Sequence, residues 1–153
     1  MDVISDKQIN EYLNEKKILP KTFRPSLKEK NYYLQYEHEI NGELGNIFKI
    51  IIRQSKQNPL DFSVILGVVI ENTLFRLKRY NGDSHDHPNS IEKTKVSGFH
   101  IHMATQRYQE AGFREEGFAE KCIKYNDWKA ALDLMLKENN FIFEVDKEQK
   151  RLN

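Results

Sequence analysis

A single cysteine, Cys122, stands alone in 153 residues, so no intramolecular disulfide can staple the chain. No Cys-x-x-Cys, no glycine-rich phosphate loop and no serine nucleophile elbow occurs, which removes the best-marked thiol-redox, nucleotide-loop and serine-hydrolase sites. Charge of neither sign dominates. Lys and Arg number 24 against 23 Asp and Glu, a formal charge of +1, so a basic surface for nucleic acid must be local if it exists. Long apolar runs are missing as well: residues 1–17 contain no apolar leader core, and no stretch is long enough to cross a bilayer. These absences lead us to expect a soluble, cytoplasmic protein without membrane contact. Cys122 itself reads as a small hydrophobe, since no Cys-centred catalytic pattern surrounds it.

What the chain does have is aromatic residues, with seven Tyr and nine Phe, a usage that suits a sheet-containing domain. A chain of this length buries roughly 70% of its unfolded surface and sustains one core. We therefore expect a single globular domain over residues 1–145 and a charged, frayed tail over 146–153.

Ser5-x-x-Gln8 has capping-box spacing, and Ile9, Tyr12 and Leu13 follow at helical intervals, which predicts a helix over 6–17. Residues 20–30 carry two prolines and read as a loop. From Asn31 the period becomes two: Leu34, Tyr36, His38 and Ile40 alternate with polar neighbours, Asn41-Gly42 supplies turn chemistry, and Phe48, Ile50 and Ile52 continue on a partner strand. His38, lone in that alternation, reads as a satisfied, half-buried side chain. The run 62–70 is apolar and β-branched enough for a central strand, and 74–80 forms a fourth, with Phe75 and Leu77 on one face and Arg76, Lys78 and Tyr80 on the other. Residues 81–98 read as a polar loop, 98–104 as a fifth strand, and 105–124 as mixed with one short helix. Trp128, Ala131, Leu132, Met135 and Leu136 fall at i, i+3, i+4, i+7 and i+8, the stripe of an amphipathic helix over 127–138, and 141–143 can dock as a short strand. The expected fold is α+β: a single antiparallel sheet of about five strands, with an N-terminal helix and a C-terminal amphipathic helix packed on one face.

Four of the five histidines lie in two His-x-His pairs, His85/His87 and His100/His102. On a strand, residues two apart share a face, so His100 and His102 converge, while Phe99, Ile101 and Met103 point to the core. If this strand lies beside 74–80, its histidines meet the Arg76, Lys78 and Tyr80 face, and the intervening loop folds His85 and His87 over it. Three readings stay open. A divalent metal would take three or four of His85, His87, His100 and His102, with Asp83 or Asp86 as a carboxylate ligand, although the spacing matches no recognised metal motif and no cofactor is favoured. A phosphodiester site would use one imidazole as base and another as acid, with Arg76 or Lys78 stabilising the transition state. The plainest reading is ordinary hydrogen bonding in a polar loop and on a solvated strand face. Arg107, directly after the His strand, is a further candidate for a phosphate contact, against the usual solvated role of a strand-end arginine.

The segments Phe75-Arg-Leu-Lys-Arg-Tyr-Asn-Gly, Ser84-His-Asp-His-Pro-Asn89 and Phe99-His-Ile-His-Met103 resemble a pattern in small prokaryotic proteins of unknown function, the toxin–antitoxin-associated families of the TumE-like kind. In those proteins a strand ending in Gly leads to a His-and-Asn loop and a His-x-His strand. The resemblance covers the middle third of the chain. It implies a compact α+β protein of prokaryotic origin, the toxin half of an operon pair acting on RNA, with a partner protein from the same operon. Carried over residue by residue, it points to Arg79, Asn81, His85, His87, Asn89, His100 and His102. The alternative class is a non-catalytic module that binds a protein through a sheet edge or binds a metal.

Overall fold

The computed structural model describes residues 2–145; the tail expected over 146–153 lies outside the described residues. The chain order is α1 (Asp6–Asn14), β1 (Lys17–Leu19), β2 (Lys28–Lys30), β3 (Tyr33–Asn41), β4 (Ile47–Ser55), β5 (Phe62–Ile70), β6 (Thr73–Asn81), β7 (His87–Asn89), β8 (Thr94–Val96), β9 (His100–Met103), α2 (Gln106–Glu110), β10 (Phe118–Lys121), α3 (Trp128–Glu138) and β11 (Phe141–Phe143).

The sheet is larger than the expected one of about five strands. Seven antiparallel strands run in the order β10-β9-β6-β5-β4-β3-β2, and two small sheets, parallel β1-β11 and the hairpin β7-β8, lie outside it. The extra strands escaped the sequence because they are three or four residues long and mostly exposed, as in the fully exposed Lys28-Glu29-Lys30. Such strands pair through backbone groups and carry no apolar alternation to read. The helix expected over 6–17 stops at Asn14, because Lys17–Leu19 is drawn into parallel pairing with Phe141–Phe143.

Local signals place the longer elements. Ser5 caps α1 by accepting from the Gln8 amide, and Asp127 caps α3 by accepting from Ala130. One face of the sheet packs Ile40, Phe48, Ile50, Ile52, Val64, Leu66 and Leu77 against Ile9 of α1 and Ala131, Leu132 and Met135 of α3. Burying each of the larger of these side chains stabilises the fold by about 1.5–3 kcal/mol. Lys17, fully buried, joins the two helices to this core: its ammonium donates to the carbonyls of Leu13, Glu15 and Asn139 at 2.8–2.9 Å and lies over the Phe48 and Phe141 rings.

Strand β6 is irregular where it matters. Its register against β5 shifts between Leu66 and Gly67, so that Leu66 faces Lys78, Gly67 faces Arg76, and Leu77 has no partner. This extra residue reverses the alternation. Arg76 lies on the face away from α3, but beyond the bulge Lys78 and Tyr80 turn to the core side, where both meet Glu138. Arg79 and Asn81 turn outward and pair with His102 and His100. The expectation that Lys78 and Tyr80 share the histidine face is thereby corrected.

Candidate functional site

The outward face of β6 and β9 is built by that pairing. Directly opposed residues of antiparallel strands share a face, so Arg79, Asn81, His100 and His102 form one polar patch. From the core side the Tyr125 hydroxyl is shared between the carbonyls of Asn81 and His100, at 2.7 and 2.9 Å, and fixes the two strands together. The β7-β8 hairpin folds over the patch and brings His87 in. Ring centroids of His87 and His102 are 4.4 Å apart, those of His100 and His102 5.0 Å, and those of His87 and His100 6.1 Å with nearly parallel planes. A cleft of about 320 Å³ opens here, with Asp61, Ser63, Ser84, His85 and Arg114 also at its wall.

Each of the three rings is fixed through one nitrogen. His100 Nδ1 lies 2.7 Å from the Gly98 carbonyl, His102 Nδ1 3.0 Å from that of Glu116, and His87 Nε2 2.6 Å from that of Gly117. A carbonyl only accepts, so these nitrogens carry the protons and the basic nitrogens are Nε2 of His100, Nε2 of His102 and Nδ1 of His87. Gly117 is required beside them: a Cβ there would come within 2.7 Å of the Tyr108 ring and 3.1 Å of the Arg114 carbonyl.

His100 and His102 are 3% and 6% exposed. Burial pushes the His102 imidazole down from the ordinary 6.5 to about 3, helped by the charge of Arg79 and the neighbouring imidazoles, while the Glu116 carbonyl pulls weakly the other way. Burial also lowers His100, partly offset by its bond to Gly98. Both rings are therefore neutral near pH 7.

Below the histidines lies Glu116, 1% exposed, among three guanidiniums. Arg79 donates to its Oε2, Arg76 Nε stands 3.9 Å away, and Arg114 Nε is 3.5 Å from Oε1. Arg76 also has Glu115 4.0 Å away, and Asp61 and Asp86 line the cleft with Arg79 and Arg114, so cations and carboxylates are interspersed there. Burial disfavours the charge on Arg79 and Glu116 restores it. The Arg79 Nε–H is buried and has no hydrogen-bond partner, so the guanidinium meets the cleft through its outer nitrogens, one of which Glu116 already engages.

The sequence candidates fall into two groups. His85, His87, His100, His102, Arg79 and Asn81 come together in the cleft. Arg76 is outside the cleft lining and reaches it through Glu116 while also pairing with Glu115, and Lys78 lies on the opposite face with Glu138. Asn89 is buried; its side chain exchanges two hydrogen bonds of 2.9 Å with the backbone N–H and carbonyl of Ala119 in β10. Arg107 sits on α2, hydrogen-bonded to Glu92 and stacked on Phe118, away from the cleft lining. Glu116 and Arg114 were not foreseen, because only the pairing of β10 with β9 brings them beside His102. Asp61 and Ser63 arrive through the pairing of β5 with β6, and Ser84 is tied to Asp61 by a 3.1 Å bond. Among the described residues no group of three or more His, Cys, Asp or Glu side chains is arranged to hold a metal ion. Nor is any helix among them long and apolar enough to cross a membrane. Comparison with family models, with curated proteins and with solved structures found no match to this chain.

Proposed function

We propose that the cleft binds and cleaves a phosphodiester of RNA by acid–base catalysis. The observation that supports this reading is the convergence of three imidazoles, each oriented by a backbone carbonyl, on one cleft wall with the half-buried guanidinium of Arg79. Imidazole transfers protons and guanidinium matches the phosphate oxygens, so one site supplies both needs of the reaction. His100, held neutral, takes the proton of the ribose 2′-hydroxyl through Nε2. The 2′-oxygen attacks phosphorus, the bond to the 5′-oxygen breaks, and protonated His87 gives its Nδ1 proton to that leaving oxygen. The products are a 2′,3′-cyclic phosphate and a free 5′-hydroxyl. Arg79 and Arg114 offset the charge that grows on the phosphoryl oxygens, and His102 stays neutral and positions its neighbours. Arg79 takes the role the sequence had offered to Arg76 or Lys78. In a cell this activity fits the toxin half of an operon pair, with a partner protein that covers the cleft.

The test is cleavage of a short single-stranded RNA by purified protein made without a histidine tag, with chelator present. We expect a cyclic phosphate product, a bell-shaped pH profile, and a loss of about a hundredfold or more in rate for His87→Gln or His100→Gln with unchanged circular dichroism. A 2′-deoxy nucleotide at the scissile position should block the reaction. Absence of cleavage together with a stoichiometric zinc ion that is lost in the same variants would replace this reading with the metal-binding module.

A further inference from the structure

We propose that the cleft is one end of a track for a single strand of RNA, which runs across the sheet to Arg53, Tyr33 and Tyr32. This inference rests on the reading of the cleft as a phosphodiester site and names its substrate as a polynucleotide rather than a small diester. A second cleft, about 360 Å³, is lined by Tyr32, Tyr33, Arg53, Gln54 and Ser55 and shares Asp61, Phe62 and Ser63 with the first. The two are joined by a register row. Gln35 pairs with Arg53, Arg53 with Ser63, Ser63 with Asn81, and Asn81 with His100, so five polar side chains stand in line on the face away from α3.

From His100 to Arg53 is three strand spacings, about 14 Å, more than one nucleotide can bridge and well suited to a short strand laid across the sheet. Arg53 is exposed and has no carboxylate partner among the described residues. Its Nε is held by Gln35 Oε1 at 3.1 Å and its guanidinium lies 5.5 Å from the Tyr33 ring centroid. That leaves an oriented cation with its outer N–H groups unspent, the form in which arginine receives a phosphate. Tyr32 beside it is 90% exposed, a ring that no contact within the fold requires and on which a base can stack. Asp61, at the junction, accepts from Ser84 and suits a sugar hydroxyl or a base amino group rather than a phosphate.

Two measurements separate this inference from the reading it rests on. In the first, KM for a dinucleotide is compared with KM for a strand of about ten nucleotides, in the native protein and in the double variant Tyr32→Ala, Arg53→Gln. The track requires a KM for the longer strand at least about tenfold lower, an advantage that the variant loses while its dinucleotide kinetics stay unchanged. Equal KM values in the native protein would overturn the track and leave the cleavage reading intact. In the second, a non-cleavable 2′-deoxy strand is titrated by fluorescence anisotropy over a range of salt. Loss of Arg53 alone should reduce the slope of log affinity against log salt by about 0.7, one phosphate contact. A slope unchanged in Arg53→Gln would overturn the track even if cleavage stands. Strand binding lost in the variant, in a native protein that cleaves nothing, would support the track and refute the cleavage.

Discussion

At the residue scale the site depends on Glu116. Among the described residues its carboxylate is the only acidic group in contact with Arg79, whose charge it offsets, and it also draws in Arg76 and Arg114. Glu116→Gln keeps the shape and removes the charge, leaving guanidiniums to repel one another around a buried neutral amide. We expect a loss of about 3 kcal/mol in urea unfolding, partly recovered when Arg79→Met is added. A variant as stable as the native protein would show that the arginines are neutralised elsewhere. The alternation that put His100 and His102 on one face was legible in the sequence, because five residues suffice to show a period of two. The identity of their cationic partner was not: a single unpaired residue, Leu77, exchanges Lys78 for Arg79, and nothing in Phe75–Asn81 marks the bulge. Glu116 is fourteen residues from His102 and has no motif of its own, so it became visible only through strand pairing.

At the scale of elements, α3 and the β3-β4 hairpin were readable because each carries a long apolar period bounded by a cap or a turn. The short strands β2, β7, β8 and β10 were not, and they are what extends the sheet and roofs the cleft. Strand β1 depends on one buried ammonium. Burial lowers Lys17 to about 8, against the pull of Glu15, yet its three carbonyl partners keep it tied to α1 and to the end of α3. Lys17→Met fills the space and strips all three carbonyls of their donor, for which we expect a loss of about 3 kcal/mol in a thermal or urea melt. An unchanged midpoint would mean that water replaces the ammonium.

For the whole molecule the buried imidazoles set a limit on acid stability. His102 titrates near 3 when folded and near 6.5 when unfolded, so below 6.5 protons bind the unfolded chain first. Its contribution is complete above that pH and is lost as pH falls towards 3, amounting to about 2 kcal/mol by pH 5 from this residue alone. His100 adds in the same direction. The midpoint of urea unfolding should therefore fall between pH 7 and pH 5 in the native protein and fall less steeply in His102→Gln; parallel curves for the two would sink the argument. A different consequence follows from Asn89. A seven-stranded open sheet has two ends at which another chain can add a strand, and a molecule with both ends free is a monomer ready to polymerise. At one end the side chain of Asn89 occupies the two backbone groups of Ala119, as a neighbouring peptide would, and at the other Lys28-Glu29-Lys30 offers three short, charged, solvated residues. Asn89 thus acts as a chain terminator: the hairpin that carries His87 to the cleft also stops growth of the sheet from that side.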